Sequence, residues 1–136
     1  MAHETDIRVR GYHLDLYQHV NNARYLEFLE EARWAYFEDA KVLEGFLACG
    51  LSLIVVNINI NYRRGAVMND ALTVKTGFKT VGNRSAVISQ IIVLKGTDTV
   101  VAEADITFVV VDPKDNKAVQ LQGDIADLLQ SLIDAA

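Results

Sequence analysis

Residues 15–34 read DLYQHVNNARYLEFLEEARW, and this stretch organises the rest of the chain. Its first eight residues hold one carboxylate, one imidazole and two amides. From Asn22 to about Asp39, apolar residues recur at helical spacing, so the pattern predicts a polar loop that leads into a long helix. The first N–H groups of a helix have no partner within it, and they lie at the positive end of its dipole. The start of this helix can therefore hold an anion or polarise a carbonyl oxygen just after Asp15.

The predicted helix is unusually apolar and has either Asn21 or Asn22 as its N-cap. Its apolar residues exceed a single stripe, so we expect protein on nearly all of its sides. These residues are Tyr25, Leu26, Phe28, Leu29, Ala32, Trp34, Tyr36 and Phe37. An irregular or helical tail is expected to follow as far as Gly50.

Five strand patterns surround this helix in the sequence. The first covers residues 6–12, where apolar and arginine side chains alternate, and it is expected to end at Gly11. The other four are rich in Val, Ile, Thr and Phe, and they cover residues 51–62, 70–81, 84–94 and 99–111. The last three are joined by short connections and so predict an antiparallel meander.

A turn at residues 112–116 is expected to end the last strand, and residues 124–133 predict a short C-terminal helix. The order of elements is thus β, long α, four β, short α. It predicts an α+β hotdog fold, in which a five-stranded antiparallel sheet wraps around one long helix. We expect residues 1–136 to form a single domain of this kind.

Composition limits the classes of function. The 136 residues carry a net charge of −5, which argues against a nucleic acid or an anionic membrane as a partner. The sequence has no signal peptide and no apolar run long enough to span a membrane, so we expect a cytoplasmic protein. Its one cysteine, Cys49, cannot form an internal disulfide and is expected to be a small core residue. No metal-ligand spacing, phosphate loop or nucleophile elbow is present, so we expect no cofactor and no metal.

Two motifs carry a resemblance to a known family. Residues 10–33, RGYHLDLYQHVNNARYLEFLEEAR, and residues 56–64, VNININYRR, resemble the hotdog-fold acyl-CoA thioesterases of the 4-hydroxybenzoyl-CoA thioesterase type, and especially their bacterial long-chain members. The resemblance covers the whole chain in element order. One departure is Gly65, where the family usually has proline. We expect this difference to loosen the strand end without affecting the chemistry.

The resemblance implies a reaction and its central groups. The substrate would be an acyl-CoA, and Asp15 would be the nucleophile or the general base for water. The backbone N–H of Asn22 would bind the thioester oxygen. From the residues alone, Asp15 is better explained as a loop residue that bonds to its own backbone. The resemblance reverses that preference.

Other polar residues are candidates for supporting roles. With no Ser or Cys beside it as a nucleophile, His19 is expected to orient the loop or Asp15 through a hydrogen bond. Arg63 and Arg64 match the geometry of CoA phosphates, although a solvated strand end explains them equally well. The full set of predicted substrate-binding residues is Asn21, Tyr25, Asn59, Asn61, Arg63 and Arg64.

The asparagine face of the second strand has two interpretations. Asn57, Asn59 and Asn61 alternate with isoleucines, so they share one face of the strand. They either line the substrate channel of a neighbouring subunit or form a solvated or interfacial sheet face, and the second interpretation is favoured. An exposed sheet edge predicts pairing of subunits, so we expect a homodimer or homotetramer.

Two other functions remain open at this point. A hydratase or dehydratase on the same fold would pair a histidine with a carboxylate, and Asp15 and His19 are close enough in sequence for that. A non-catalytic acyl-CoA-binding protein would gain nothing from a carboxylate beside the thioester, so Asp15 argues against it.

Overall fold

The computed structural model describes residues 2–134, and these form a curved antiparallel sheet with three helices. The elements in chain order are β1 (His3–Arg8), α1 (Asn22–Asp39), α2 (Val42–Cys49), β2 (Ser52–Tyr62), β3 (Ala71–Val81), β4 (Ser85–Leu94), β5 (Val100–Asp112), β6 (Lys117–Ala118) and α3 (Asp124–Asp134).

The strands pair in the order β1-β3-β4-β5-β2, and the two-residue β6 adds to the end of β5. The predicted meander of β3, β4 and β5 is confirmed, as are the five-stranded sheet, the long helix and the C-terminal helix. Strand β2 is the second strand in the chain, but it lies at an edge of the sheet beside β5. The sequence did not indicate β6, because two residues are too short to show a pattern.

Helix α1 packs on the concave face of the sheet, mainly over β1 and β3. Alternate residues of β3, β4 and β5 point towards it, and Leu72, Ile88 and Ile106 are fully buried there. Strand β2 packs less closely against α1 than β1 and β3 do, and most of its residues are exposed. Two separate cavities lie between α1 and the edge strand, one near each end of the helix.

The expectation that α1 is nearly surrounded by protein is wrong for this chain. Its buried residues form one stripe, while Trp34 is 50% exposed and the helix glutamates face outwards. The stripe includes Arg33, whose Nη1 donates to Gln90 Oε1 at 3.0 Å. Gln90 Nε2 in turn donates to Leu29 O at 2.9 Å and to Thr76 Oγ1 at 3.1 Å. These bonds fix α1 to β4 and β3 within the core.

Two further expectations are corrected. Strand β1 begins at His3 and ends at Arg8, because the Arg10 N–H bonds to His13 Nδ1 at 2.8 Å and the chain forms a 3₁₀ turn at Gly11–His13. Cys49 is exposed and is not a core residue. It is the last residue of α2, where Gly50 turns the chain away in a left-handed conformation. Among the described residues, no helix has the length and apolar character needed to cross a membrane.

Candidate active site

Asp15 lies in a short loop that is stabilised by hydrogen bonds of the loop backbone. The Asp15 N–H donates to His19 O at 2.8 Å, and a bridge between Leu14 and Val20 closes the loop. Asp15 Oδ1 accepts from the Tyr17 N–H at 2.8 Å and from the His19 N–H at 3.3 Å. The carboxylate thus makes the Asx-type turn that the residues alone suggested. Its second oxygen has no hydrogen bond to any described residue.

The start of α1 presents a free donor next to this loop. Asn21 is the N-cap, and its Oδ1 accepts from the Ala23 N–H at 2.9 Å. The Arg24 N–H donates to Asn21 O at 2.8 Å. Between them, the Asn22 N–H has no acceptor among the described residues, while Asn22 O accepts from Tyr62 Oη at 2.9 Å. The helix start therefore offers the one backbone donor that the resemblance assigns to the thioester oxygen.

A cavity of about 380 Å³ brings these groups together. Six of the predicted site residues line it, namely Asp15, Asn21, Asn22, Tyr25, Arg63 and Arg64. Val20, Tyr62 and Gly65 complete the wall and were not predicted as site residues. Tyr62 belongs to the motif at residues 56–64 and directly precedes the two arginines. This position could have identified it as a site residue from the sequence.

The hydroxyl of Tyr25 has a structural partner. Tyr25 is 3% exposed, and its Oη accepts from the Ala66 N–H at 3.0 Å. Burial raises the pKa of Tyr25, so the phenol stays neutral. Its ring lies 5.4 Å from that of Tyr62, measured between centroids. Tyr25 thus forms an apolar wall of the cavity and holds the segment after β2 in place.

The two arginines at the end of β2 differ. Both backbone N–H groups donate to Val101 O, at 2.8 Å for Arg63 and 3.1 Å for Arg64. The Arg63 guanidinium is bound to Glu103, with Nη2 at 2.6 Å and Nε at 3.2 Å from Oε1. Arg64 has no ion pair among the described residues. Of the two, Arg64 is the one free to meet a phosphate at the cavity mouth.

His19 does not line the cavity, and its ring contacts the segment after β2. Its hydrogen bond to Asp15 comes from the backbone N–H, whereas the imidazole rests on Gly65. A Cβ added at Gly65 would lie 2.8 Å from His19 Cδ2. A larger residue at position 65 would therefore displace the ring. Gly65, which departs from the family pattern, contacts the loop that carries Asp15. The effect of having glycine at this position is therefore not confined to the strand end.

Asn59 and Asn61 do not reach this cavity in the single chain. They pair with Asp105 and Glu103 across β5 and point to the convex face of the sheet. There they line a separate polar cavity of about 290 Å³. Their predicted contact with substrate would have to involve another subunit. In residues 2–134, no group of three or more His, Cys, Asp or Glu side chains is placed to hold a metal ion.

The chain is similar to known thioesterases in sequence and in fold. A model of the thioesterase-like superfamily matches residues 9–129. The chain is 49% identical to the long-chain acyl-CoA thioesterase FadM of Escherichia coli K12, over 96% of this chain and 98% of that protein. The crystal structure of YbaW, a probable thioesterase from Escherichia coli, has the same identity and coverage and a TM-score of 0.90. A putative thioesterase from Pseudomonas aeruginosa is 26% identical, with a TM-score of 0.82 over 97% of this chain and 98% of that one.

Proposed function

This chain belongs to the thioesterase-like superfamily, and from that premise we propose that it hydrolyses long-chain acyl-CoA thioesters to the free acid and CoA. The observation that carries the proposal is the shared cavity of the Asp15 carboxylate and the free Asn22 N–H. Thioester hydrolysis needs an attacking or activating group and a donor where negative charge develops. The long-chain preference is supported by the similarity to the long-chain acyl-CoA thioesterase of Escherichia coli.

In the proposed mechanism, the two oxygens of Asp15 have separate tasks. Oδ1 accepts two backbone N–H groups, which fixes the orientation of the carboxylate before substrate arrives. In one route the second oxygen attacks the thioester carbonyl, the C–S bond breaks to release the CoA thiolate, and water then hydrolyses the resulting anhydride to the free acid and the Asp15 carboxylate. In the other route it removes a proton from the attacking water, the C–S bond breaks as the acid forms, and the proton passes to the CoA thiolate. The Asn22 N–H donates to the carbonyl oxygen as it gains negative charge, and the dipole of α1 adds to this stabilisation. Arg64 binds a CoA phosphate at the mouth of the cavity.

We propose that the active species is a homodimer or a larger homo-oligomer. Strand β2 is an unprotected edge, and it is exposed along most of its length. Its exposed apolar residues include Ile54, Val56 and Ile58. Such an edge favours pairing with a second copy, which would also cover a ligand held in an open cavity. Sedimentation that finds a fully active monomer at assay concentration would contradict this part of the proposal.

The proposed activity is tested with a series of acyl-CoA esters from C4 to C18, assayed by release of free thiol. We expect hydrolysis that rises with chain length and is unchanged by a chelator, because the proposed route uses a carboxylate and backbone donors. Loss of activity on chelation, with recovery on addition of zinc, would refute the metal-free route. Equal turnover of short-chain or aromatic esters would remove the long-chain preference and leave the thioesterase proposal standing.

A hydratase is less well supported by the geometry. That chemistry needs an imidazole and a carboxylate that act together, and the His19 ring makes no hydrogen bond to Asp15.

A cytoplasmic location belongs to the same proposal. The single cysteine has no second cysteine in the chain to pair with, as is usual in a reducing compartment.

A further inference from the structure

Gly65 lies against the ring of His19 with no room for a side chain between them. Gly65 directly follows Arg64 on the segment that leaves β2, and it lines the same cavity as Asp15. The three heavy atoms nearest to an added Cβ all belong to His19, namely Cδ2 at 2.8 Å, Cγ at 3.4 Å and Nε2 at 3.5 Å. Carbon atoms in favourable contact lie about 3.5–4.0 Å apart, so a methyl group at position 65 would move the ring by about 0.7 Å.

The backbone of Gly65 itself would accept alanine. Its φ lies outside the left-handed region, unlike the φ of Gly50, Gly96 and Gly123. Alanine at this position therefore adds a methyl group without backbone strain. The effect of the substitution comes mainly from the displaced His19 ring.

The backbone of His19 in turn holds the candidate catalytic carboxylate. The His19 N–H donates to Asp15 Oδ1 at 3.3 Å, and the His19 carbonyl accepts from the Asp15 N–H at 2.8 Å. The first bond is longer than the usual range of about 2.7–3.2 Å, so a small movement of His19 is enough to break it. Gln18, the residue before His19, has a φ of 63°, which costs energy for a residue other than glycine. The loop therefore depends on contacts from outside to keep this shape.

The segment after β2 provides a fixed surface for these contacts. Ala66 is fully buried, and its N–H donates to Tyr25 Oη at 3.0 Å. The Ala66 carbonyl accepts from the Val20 N–H at 2.9 Å. The loop thus meets the segment at two points, the hydrogen bond of Val20 and the ring of His19 on Gly65. A push from position 65 moves the loop rather than the anchored segment.

Resting on the proposed function, we infer that Gly65 is a positioning residue for the Asp15 carboxylate. Because Gly65 has no Cβ, the His19 ring lies against the segment after β2, and this contact sets the distance between the Asp15 loop and Arg64. A substrate whose CoA phosphate is bound by Arg64 then presents its thioester to a carboxylate at a defined position. Misplacement of reacting groups by about 1 Å can cost about a hundredfold in rate, so a shift of about 0.7 Å has a measurable effect.

The pair Gly65→Ala and His19→Ala tests this inference. We expect kcat for lauroyl-CoA to fall about tenfold in Gly65→Ala with KM within about twofold, because Arg64 and the Asn22 N–H are unchanged. His19→Ala keeps the backbone bonds of the loop, so kcat should fall less than about threefold. In the double variant the added methyl group meets no ring, and kcat should return to within about twofold of His19→Ala. Gly77→Ala in β3 is the matched control, because a Cβ there meets nothing within 4 Å, and it should change neither constant.

The double variant distinguishes positioning from two independent roles. If the losses of the single variants multiply in the double variant, Gly65 and His19 act independently and the inference is wrong. An unchanged kcat in Gly65→Ala would also overturn it. Thermal unfolding by circular dichroism checks the fold, and loss of folding in Gly65→Ala would assign the glycine to stability instead.

A truncated substrate gives a result that a purely structural role would not produce. The lauroyl thioester of N-acetylcysteamine lacks the CoA phosphates, so it is not held by Arg64 and can follow a displaced carboxylate. We expect Gly65→Ala to lower kcat/KM about tenfold for lauroyl-CoA and less than about threefold for the truncated thioester. Equal losses for the two substrates would refute a role in setting the distance from Arg64.

Hydrogen exchange separates the inference from the proposed function. If the wild-type protein hydrolyses no thioester, the proposed function fails, whereas amide exchange at residues 15–20 still reports on the loop. We expect faster exchange in Gly65→Ala than in the wild type, and a return towards the wild-type rate in the double variant. If hydrolysis is normal and Gly65→Ala changes neither exchange nor kcat, the inference alone is wrong.

Discussion

Replacement of Asp15 by asparagine separates catalysis from loop structure, because the structure gives the two carboxylate oxygens different partners. Oδ1 accepts from the N–H groups of Tyr17 and His19 at 2.8 and 3.3 Å, and the other oxygen is free. The amide oxygen of asparagine can keep both hydrogen bonds, while its NH₂ group replaces the free oxygen. Asp15→Asn thus removes the negative charge and the nucleophile and leaves the loop intact.

The expected loss is kinetic. Removal of an essential acid, base or nucleophile lowers turnover by at least about a hundredfold, which is about 2.7 kcal/mol in the activation barrier. The free energy of unfolding should change by less than about 0.5 kcal/mol, because both hydrogen bonds of the turn remain. The Kd of a non-hydrolysable acyl-CoA thioether should stay constant or fall, since the change removes a negative charge near the CoA phosphates.

Asp15→Ala is the matched comparison. It removes the catalytic group and the two hydrogen bonds together, so turnover should fall as in Asp15→Asn while stability drops by about 1 kcal/mol, or roughly 4 °C in Tm. The assays are thiol release under steady-state conditions and thermal unfolding followed by circular dichroism. If Asp15→Asn keeps turnover within tenfold of the wild type, the catalytic assignment is wrong and His19 becomes the next candidate. If Asp15→Asn loses stability and activity together, Asp15 only fixes the loop.

Three further predictions follow from single contacts. Arg64→Ala should raise KM for acyl-CoA several-fold at constant kcat. Arg63→Ala should not, because the Arg63 guanidinium is already bound to Glu103. Equal effects of the two substitutions in steady-state kinetics would contradict this prediction. Burial, together with nearby arginines, lowers the pKa of His13 from its ordinary value of 6.5, so the folded state binds fewer protons there than the unfolded state. Stability should therefore fall as pH drops below about 6.5, and thermal unfolding of His13→Asn should show a smaller fall. Gln90→Leu leaves a buried guanidinium without its acceptor and should cost about 3 kcal/mol by denaturant unfolding, whereas the exposed Gln120→Leu should cost less than about 0.5 kcal/mol.

Local pattern was enough for the long helix and the main strands of the fold. Helical spacing after Asn22 predicted α1 within a residue at each end, and enrichment in Val, Ile, Thr and Phe predicted β2 to β5. Both signals depend on neighbours a few residues apart, and the periods of a helix and a strand are fixed by backbone geometry. The same local chemistry predicted Asn21 as one of two possible N-caps, and the Asx turn at Asp15 as one of two interpretations.

The sequence by itself thus predicted the long helix, the five main strands, the C-terminal helix and their order, and it offered candidate residues for the chemistry. Only the tertiary structure decided which of these residues share a cavity. It placed Arg64 free beside Asp15 and bound Arg63 to Glu103, although the two arginines are adjacent in sequence. It also left one face of α1 open towards β2. The order of the sheet places β2 at the far edge, away from the strands that α1 covers. That order depends on hydrogen bonds between residues far apart in the chain, and no local pattern contains them.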